Sequence, residues 1–274
     1  MHPHFRGPNN HADACGSDLA VQDVLDAVSY MSERYSVDEN RIYLVGVSGG
    51  GHLALLLAGR FPQRWAAVSA WCGIADIARW WRERSEGIPG VEPLPNFESL
   101  TKYARMTEMV LQGRTPVNCP EECAKRSPIT YLTAARNVNL DIHAGIHDGR
   151  KGGSVPFSHS LMAYDAVVPP SNRLGPAFIA QFYRTQRPPN DNNDDDSQPS
   201  KEEQDNALQT RDIHFRRTCE NTRVTIFEGG HEILHLPALN WLALQRRGQA
   251  AVWDIPPSAV DWFHVDAQQT QSGK

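Results

Sequence analysis

The sequence predicts an α/β fold: a mostly parallel sheet flanked by helices. Three observations lead there. Short runs that read as strands recur at residues 42–45, 65–72, 138–144 and 223–228. Stretches with helical spacing lie between them. The first run also passes through a glycine-rich turn directly into a stretch of helix formers, residues 41–60 reading R-I-Y-L-V-G-V-S-G-G-G-H-L-A-L-L-L-A-G-R.

Composition sets the outer limits. The 274 residues, 40% hydrophobic with seven Trp and nine Phe, suit one α/β domain spanning 1–274 with a sizeable core. A formal charge of −5 gives no basis for a nucleic-acid partner. No apolar run approaches the roughly 18 residues of a membrane span, so no membrane partner is expected. The N-terminus carries no basic-then-apolar leader pattern. Cys15, Cys72, Cys119, Cys123 and Cys219 are odd in number and form no C-x-x-C, and Cys119 and Cys123 read as a chance pair.

Taken in order, residues 1–10 begin as a strand end running into a Gly7-Pro8 turn. Ser17 is placed to cap a helix over 18–35, with Leu19, Val24, Leu25, Val28, Met31 and Tyr35 at helical spacing. Residues 42–45 are continuously apolar, the pattern of a strand buried on both faces. Gly46-Val47-Ser48-Gly49-Gly50 is a G-x-S-x-G motif between strand and helix. A serine on such a sharp turn adopts a strained backbone, so the positions two before and two after it must lack bulk. Residues 52–58 form the following helix, stopped by Gly59 and Pro62, and 65–72 a second buried strand.

Residues 73–128 are less regular and read as a cap- or lid-like insertion. A short helix carries Ile77, Trp80 and Trp81, a loop holds Pro89, Pro93 and Pro95, and a helix follows near 100–112. The tryptophans either line an acyl pocket or pack the cap onto the body. Residues 138–144 alternate apolar and polar side chains as a strand ending at Gly145, and 155–168 form a helix opened near Pro156. Residues 186–210 form an acidic, disordered insertion: the run 188–206 holds no large apolar residue and lacks the central glycine of a calcium loop. A strand at 223–228, a closing helix at 236–247 and a flexible tail at 266–274 complete the chain.

Ser48, Asp148 and His231 each stand just past the C-terminal end of one of these strands, at the edge where sites of open α/β sheets assemble. A serine alkoxide needs a base to take its proton, and the base needs a carboxylate to fix its tautomer. The order Ser, Asp, His is that of the α/β-hydrolase triad.

The segments F-R-G-P-N-N, G-V-S-G-G-G-H, R-S-P-I-T-Y-L, G-I-H-D-G, G-S-V-P-F-S-H-S and F-E-G-G-H-E resemble the catalytic domain of the prolyl oligopeptidase branch of the α/β-hydrolases. The resemblance covers most of 2–168 and 211–246. It implies an α/β-hydrolase-type sheet, with Ser48 as nucleophile, Asp148 as triad acid, His231 as base and the Gly49 N–H as one oxyanion donor. It implies an ester or peptide substrate and no cofactor or metal. It also implies that strands lying upstream of Met1 in the family are missing here, together with the second oxyanion donor. The expected function is a serine hydrolase working through an acyl-enzyme, the alternative a weakly active or inactive hydrolase-like domain.

Two metal patterns compete. His231-Glu232-Ile233-Leu234-His235 is a literal H-E-x-x-H, yet two glycines precede it, Pro237 follows closely, and no glutamate lies downstream to complete a zinc set. His143 and His147 are four apart, but the G-I-H-D-G turn falls between them. Cys72 reads as a small buried residue at a strand end.

Overall fold

The β-rich runs pair into one five-stranded sheet in the order β1-β2-β3-β5-β4. The structure, a computed structural model, describes residues 1–92, 97–150, 153–189, 208 and 211–255. The strands are β1 (Tyr43–Val47), β2 (Ala67–Trp71), β3 (Asn139–Gly145), β4 (Ile213–Cys219) and β5 (Thr222–Phe227). β1, β2, β3 and β5 run parallel, and β4 returns antiparallel to β5. Val47 lies beside Trp71 and Trp71 beside His143, so the parallel strands end together and their exit loops share one edge.

Eight helices among the described residues surround the sheet: α1 (Asp18–Arg34), α2 (Gly49–Arg60), α3 (Ile77–Ser85), α4 (Phe97–Val110), α5 (Pro120–Arg126), α6 (Ser158–Val167), α7 (Pro176–Thr185) and α8 (His235–Leu244). The Ser17 side chain caps α1 by accepting the Ala20 N–H. Strand alternation divides the core. Val68, Ala70, Leu140 and Ile142 pack with Leu55 and Leu57 of α2 and with Leu161 of α6. Ala67 and Trp71 point the other way, toward Trp241 and Ala238 of α8. Each fully buried leucine here stabilises the fold by about 1.5–3 kcal/mol.

Several expectations need correction. Residues 1–10 contain no strand. Arg6 and Gly7 both take positive φ, 64° and 73°, and the chain bends instead. β1 is not buried on both faces: it is the edge of the described sheet and Val45 is 44% exposed. Gly59 does not stop α2, which runs on to Arg60. A side chain at Gly59 would meet Tyr131 at 2.7 Å, so this glycine serves a close approach rather than a stop. The polar positions of β3 are buried as fully as the apolar ones. They find partners inside: Asp141 takes Arg223 at 3.0 and 2.7 Å, and His143 lies 3.0 Å from Asp141 and stacks on Trp71 at 3.9 Å.

Sequence patterning left β4 and α7 unassigned. β4 is an edge strand, half exposed, with a register shift between Ile213 and Phe215 that breaks its alternation. α7 carried a legible signal: Pro176 in its first turn and Phe178, Ile179, Phe182 and Tyr183 on one face. The acidic run at 188–206, the tail at 266–274 and the loop positions Pro93 and Pro95 lie outside the described residues, apart from residues 188 and 189.

The loop ahead of α1 is tied to α5. Arg126, 5% exposed, donates to the carbonyls of Ala12, Ala14 and Cys15 at 2.8, 2.7 and 3.2 Å, and pairs with Glu122 at 2.7 Å.

Candidate active site

Ser48 joins β1 to α2 with φ 58° and ψ −120°, a conformation that costs a non-glycine residue about 1–3 kcal/mol. Two backbone bonds hold it there: its N–H donates to Trp71 O at 2.9 Å and its carbonyl accepts the His52 N–H at 2.8 Å. Half of the expected glycine requirement is met. A Cβ on Gly46 would stand 2.4 Å from the Gly50 carbonyl carbon, whereas a Cβ on Gly50 would meet nothing within 4 Å. Ser48 Oγ makes no capping bond, which leaves it available, and Gly49 opens α2 with an N–H of the unpaired first turn.

Two strands along the sheet, the turn after β3 brings Asp148 beside the loop after β5. His231 Nδ1 lies 2.9 Å from Asp148 Oδ2 and 3.0 Å from Oδ1. Asp148 is fully buried, and its Oδ1 also accepts the N–H groups of Gly149 at 2.8 Å and Val155 at 3.3 Å. A buried carboxylate held by backbone donors is a rigid anchor for an imidazole. The His231 side chain keeps 24% of its surface open.

The other ring nitrogen has a partner that the sequence did not announce. His231 Nε2 lies 3.2 Å from Ser154 Oγ, and Ser48 Oγ makes no hydrogen bond among the described residues. Ser154 is itself held by α3, where Trp80 Nε1 donates to its carbonyl at 2.9 Å. Trp81 points elsewhere, donating to Glu108 at 3.0 Å. Ser154 sits in the G-S-V-P segment, whose signal was its closeness in sequence to Asp148.

Cys72 completes the neighbourhood at the end of β2, also with positive φ, 49°. Its Sγ faces the carbonyls of Glu232 and Gly230 at 3.5 and 3.8 Å. Burial, and the adjoining Asp148 carboxylate, push its thiol well up, so it stays protonated. Cys72, Asp148 and His231 have possible metal-ligating atoms within 4.8 Å of one another. Those atoms are already engaged, Asp148 with His231 and the thiol with backbone carbonyls. The H-E-x-x-H residues do not share a helix face: α8 begins only at His235, and Glu232 accepts the Gly230 N–H at 3.1 Å. His143 is enclosed in β3 beside Asp141, while His147 lies 2.7 Å from Glu228, so that pair is split between two environments.

A family model described as Peptidase S9, the prolyl oligopeptidase family, matches residues 16–184, more than half of the chain. The chain belongs to the prolyl oligopeptidase family. The matched stretch holds Ser48, Asp148 and Ser154 and stops short of His231. Among curated proteins, the chain is 27% identical over 163 residues to the uncharacterized peptidase YtmA of Bacillus subtilis (strain 168), an alignment covering 58% of this chain. It spans 54%, about half, of that relative's length. Among solved structures, an acylaminoacyl peptidase of Pyrococcus horikoshii is 19% identical with a TM-score of 0.45, covering 60% of this chain and 22% of that one.

Proposed function

We propose that the protein is a serine hydrolase that cleaves a carboxylic ester, or secondarily a peptide bond, through an acyl-enzyme on Ser48. The observation that carries this is the His231–Asp148 pair at 2.9 Å, on the same sheet edge as a serine held at φ 58°. In the reaction, Ser48 Oγ bonds to the substrate carbonyl carbon while its proton passes to His231 Nε2. The carbonyl π pair moves onto oxygen, beside the Gly49 N–H. Return of that pair expels the alcohol or amine, which takes the proton from Nε2. A water then attacks the acyl carbon with His231 again as base, and Ser48 is released with its proton restored. Asp148 holds Nδ1–H throughout and orients the ring. Residues 73–128 serve as the cap, α3 placing Trp80 against Ser154 beside the base. Peptide substrates enter through the family and through a relative named as a peptidase.

One observation favours the second reading, a weak or inactive hydrolase-like domain: Nε2 faces Ser154 rather than Ser48. Catalytic hydrogen bonds are often loose without substrate, so the two readings separate by experiment. Hydrolysis of p-nitrophenyl acetate, and of a peptide p-nitroanilide, is expected from the wild type and lost in S48A. Turnover of both substrates at background rate in the wild type favours the inactive reading.

A further inference from the structure

The geometry points to Asn9 as a second oxyanion donor, its side-chain NH2 acting beside the Gly49 N–H on the carbonyl oxygen of an ester or amide. This deepens the reading of Ser48 as nucleophile and rests on it.

Three observations carry it. First, the Asn9 amide lies directly over Gly49: a methyl group at position 49 would stand 2.0 Å from Asn9 Nδ2 and 3.4 Å from its Cγ. Glycine at this position leaves the amide where it stands, and a side chain there would displace it. Second, the orientation of the amide is fixed. The Cys15 N–H donates to Asn9 Oδ1 at 3.0 Å, so the oxygen faces Cys15 and the NH2 faces Gly49. Among the described residues Nδ2 donates to nothing, and Asn9 is only half-buried. Third, the loop that carries the amide is held. Arg126 grips the carbonyls of Ala12, Ala14 and Cys15, and Cys15 and Gly16 turn the chain with φ 50° and 70°.

A donor is useful to an oxyanion when it is in place before charge develops. As Ser48 Oγ bonds to the carbonyl carbon, the π pair localises on oxygen, next to the first-turn N–H of Gly49. Asn9 Nδ2–H, over the same glycine, donates to that oxygen. It transfers no proton, and the bond relaxes when the pair returns to re-form the carbonyl. The rival role is structural: Asn9 as a latch that only holds the Cys15 loop.

The test is steady-state hydrolysis of p-nitrophenyl acetate by the wild type, N9A and N9D, with thermal midpoints measured alongside. N9D keeps an acceptor for the Cys15 N–H and loses the donor; N9A loses both. A donor role predicts that both lower kcat by about 10²–10³ with KM within about threefold. Either variant retaining kcat within tenfold of wild type overturns it, and recovery of rate and midpoint in N9D but not N9A identifies the latch. If either variant fails to fold, G49A decides: its methyl keeps the Gly49 N–H but displaces the amide, so a comparable fall in kcat supports the proposal and an unchanged kcat overturns it. A wild type that neither turns over ester nor is labelled at Ser48 by a fluorophosphonate removes the underlying reading and the proposal together. Labelling with no effect of Asn9 variants removes the proposal alone.

Discussion

Ser154 Oγ, not Ser48 Oγ, stands within hydrogen-bond reach of His231 Nε2, at 3.2 Å. In the tautomer that gives Nδ1–H to Asp148, the Ser154 hydroxyl is the donor to Nε2. Ser154 lacks the positive φ of Ser48 and does not open a helix, so no helix first turn offers it N–H groups as α2 does beside Ser48. In the proposed reaction Ser154 is a resting partner of His231. S48A should lower kcat by about 10⁴–10⁶. S154A should stay within about tenfold, since one neutral hydrogen bond is worth about 0.5–1.5 kcal/mol. Ester hydrolysis rates of the two variants check this, and a reversed ranking would make Ser154 the nucleophile.

Gly46 and Gly50 should respond in opposite ways. An alanine at Gly46 runs into the Gly50 carbonyl carbon at 2.4 Å and must distort the elbow. G46A is expected to cost about 1–3 kcal/mol or more, and most of the activity. G50A meets open space inside α2 and gains up to about 1 kcal/mol of helix propensity. Urea midpoints of the two variants decide it.

Much of this was legible in the sequence, for identifiable reasons. β2 and α2 bury nearly every residue, so their apolar runs read directly. Ser48, Asp148 and His231 were legible as candidates because glycines mark the turns around them. Three-dimensional proximity was not legible. Asn9 meets Gly49, Ser154 meets His231, Cys72 meets Gly230 and Arg126 meets Ala14 across long stretches of chain, and local patterning does not pair them. β3 misled in another way: its Asn139, Asp141 and His143 look solvent-facing, yet they are buried against Gln245 just past α8, Arg223 of β5 and Trp71 of β2.

One such partner makes a stability prediction. Burial alone would raise the Asp141 carboxyl, but Arg223 and His143 outweigh it and hold it well below the usual carboxylate range. A depressed carboxyl contributes stability above its unfolded value of about 3.9, lost as pH falls through the folded value. D141N should therefore cost about 3–5 kcal/mol at pH 7, and the gap to wild type should narrow under strong acid. Urea unfolding across that range measures it; equal midpoints at pH 7 would show that the buried pair adds nothing.

His52 makes the complementary case. Burial, opposed in part by donation to Arg126 O at 2.7 Å, lowers its imidazole from 6.5 to about 4. Between those values the unfolded chain binds the proton and the folded one does not. Its contribution is thus complete above pH 6.5 and lost toward pH 4, by about 3 kcal/mol. H52Q, which keeps a donor for the carbonyl, should flatten the fall in stability over that window. An unchanged slope in chemical denaturation would remove His52 as the cause.

The most direct test of the central claim is peptide mapping by mass spectrometry after reaction with a fluorophosphonate. The account predicts one adduct, on Ser48, formed rapidly in the wild type and in S154A and abolished in H231A. An adduct on Ser154, or a wild type that stays unlabelled while folded, would contradict it.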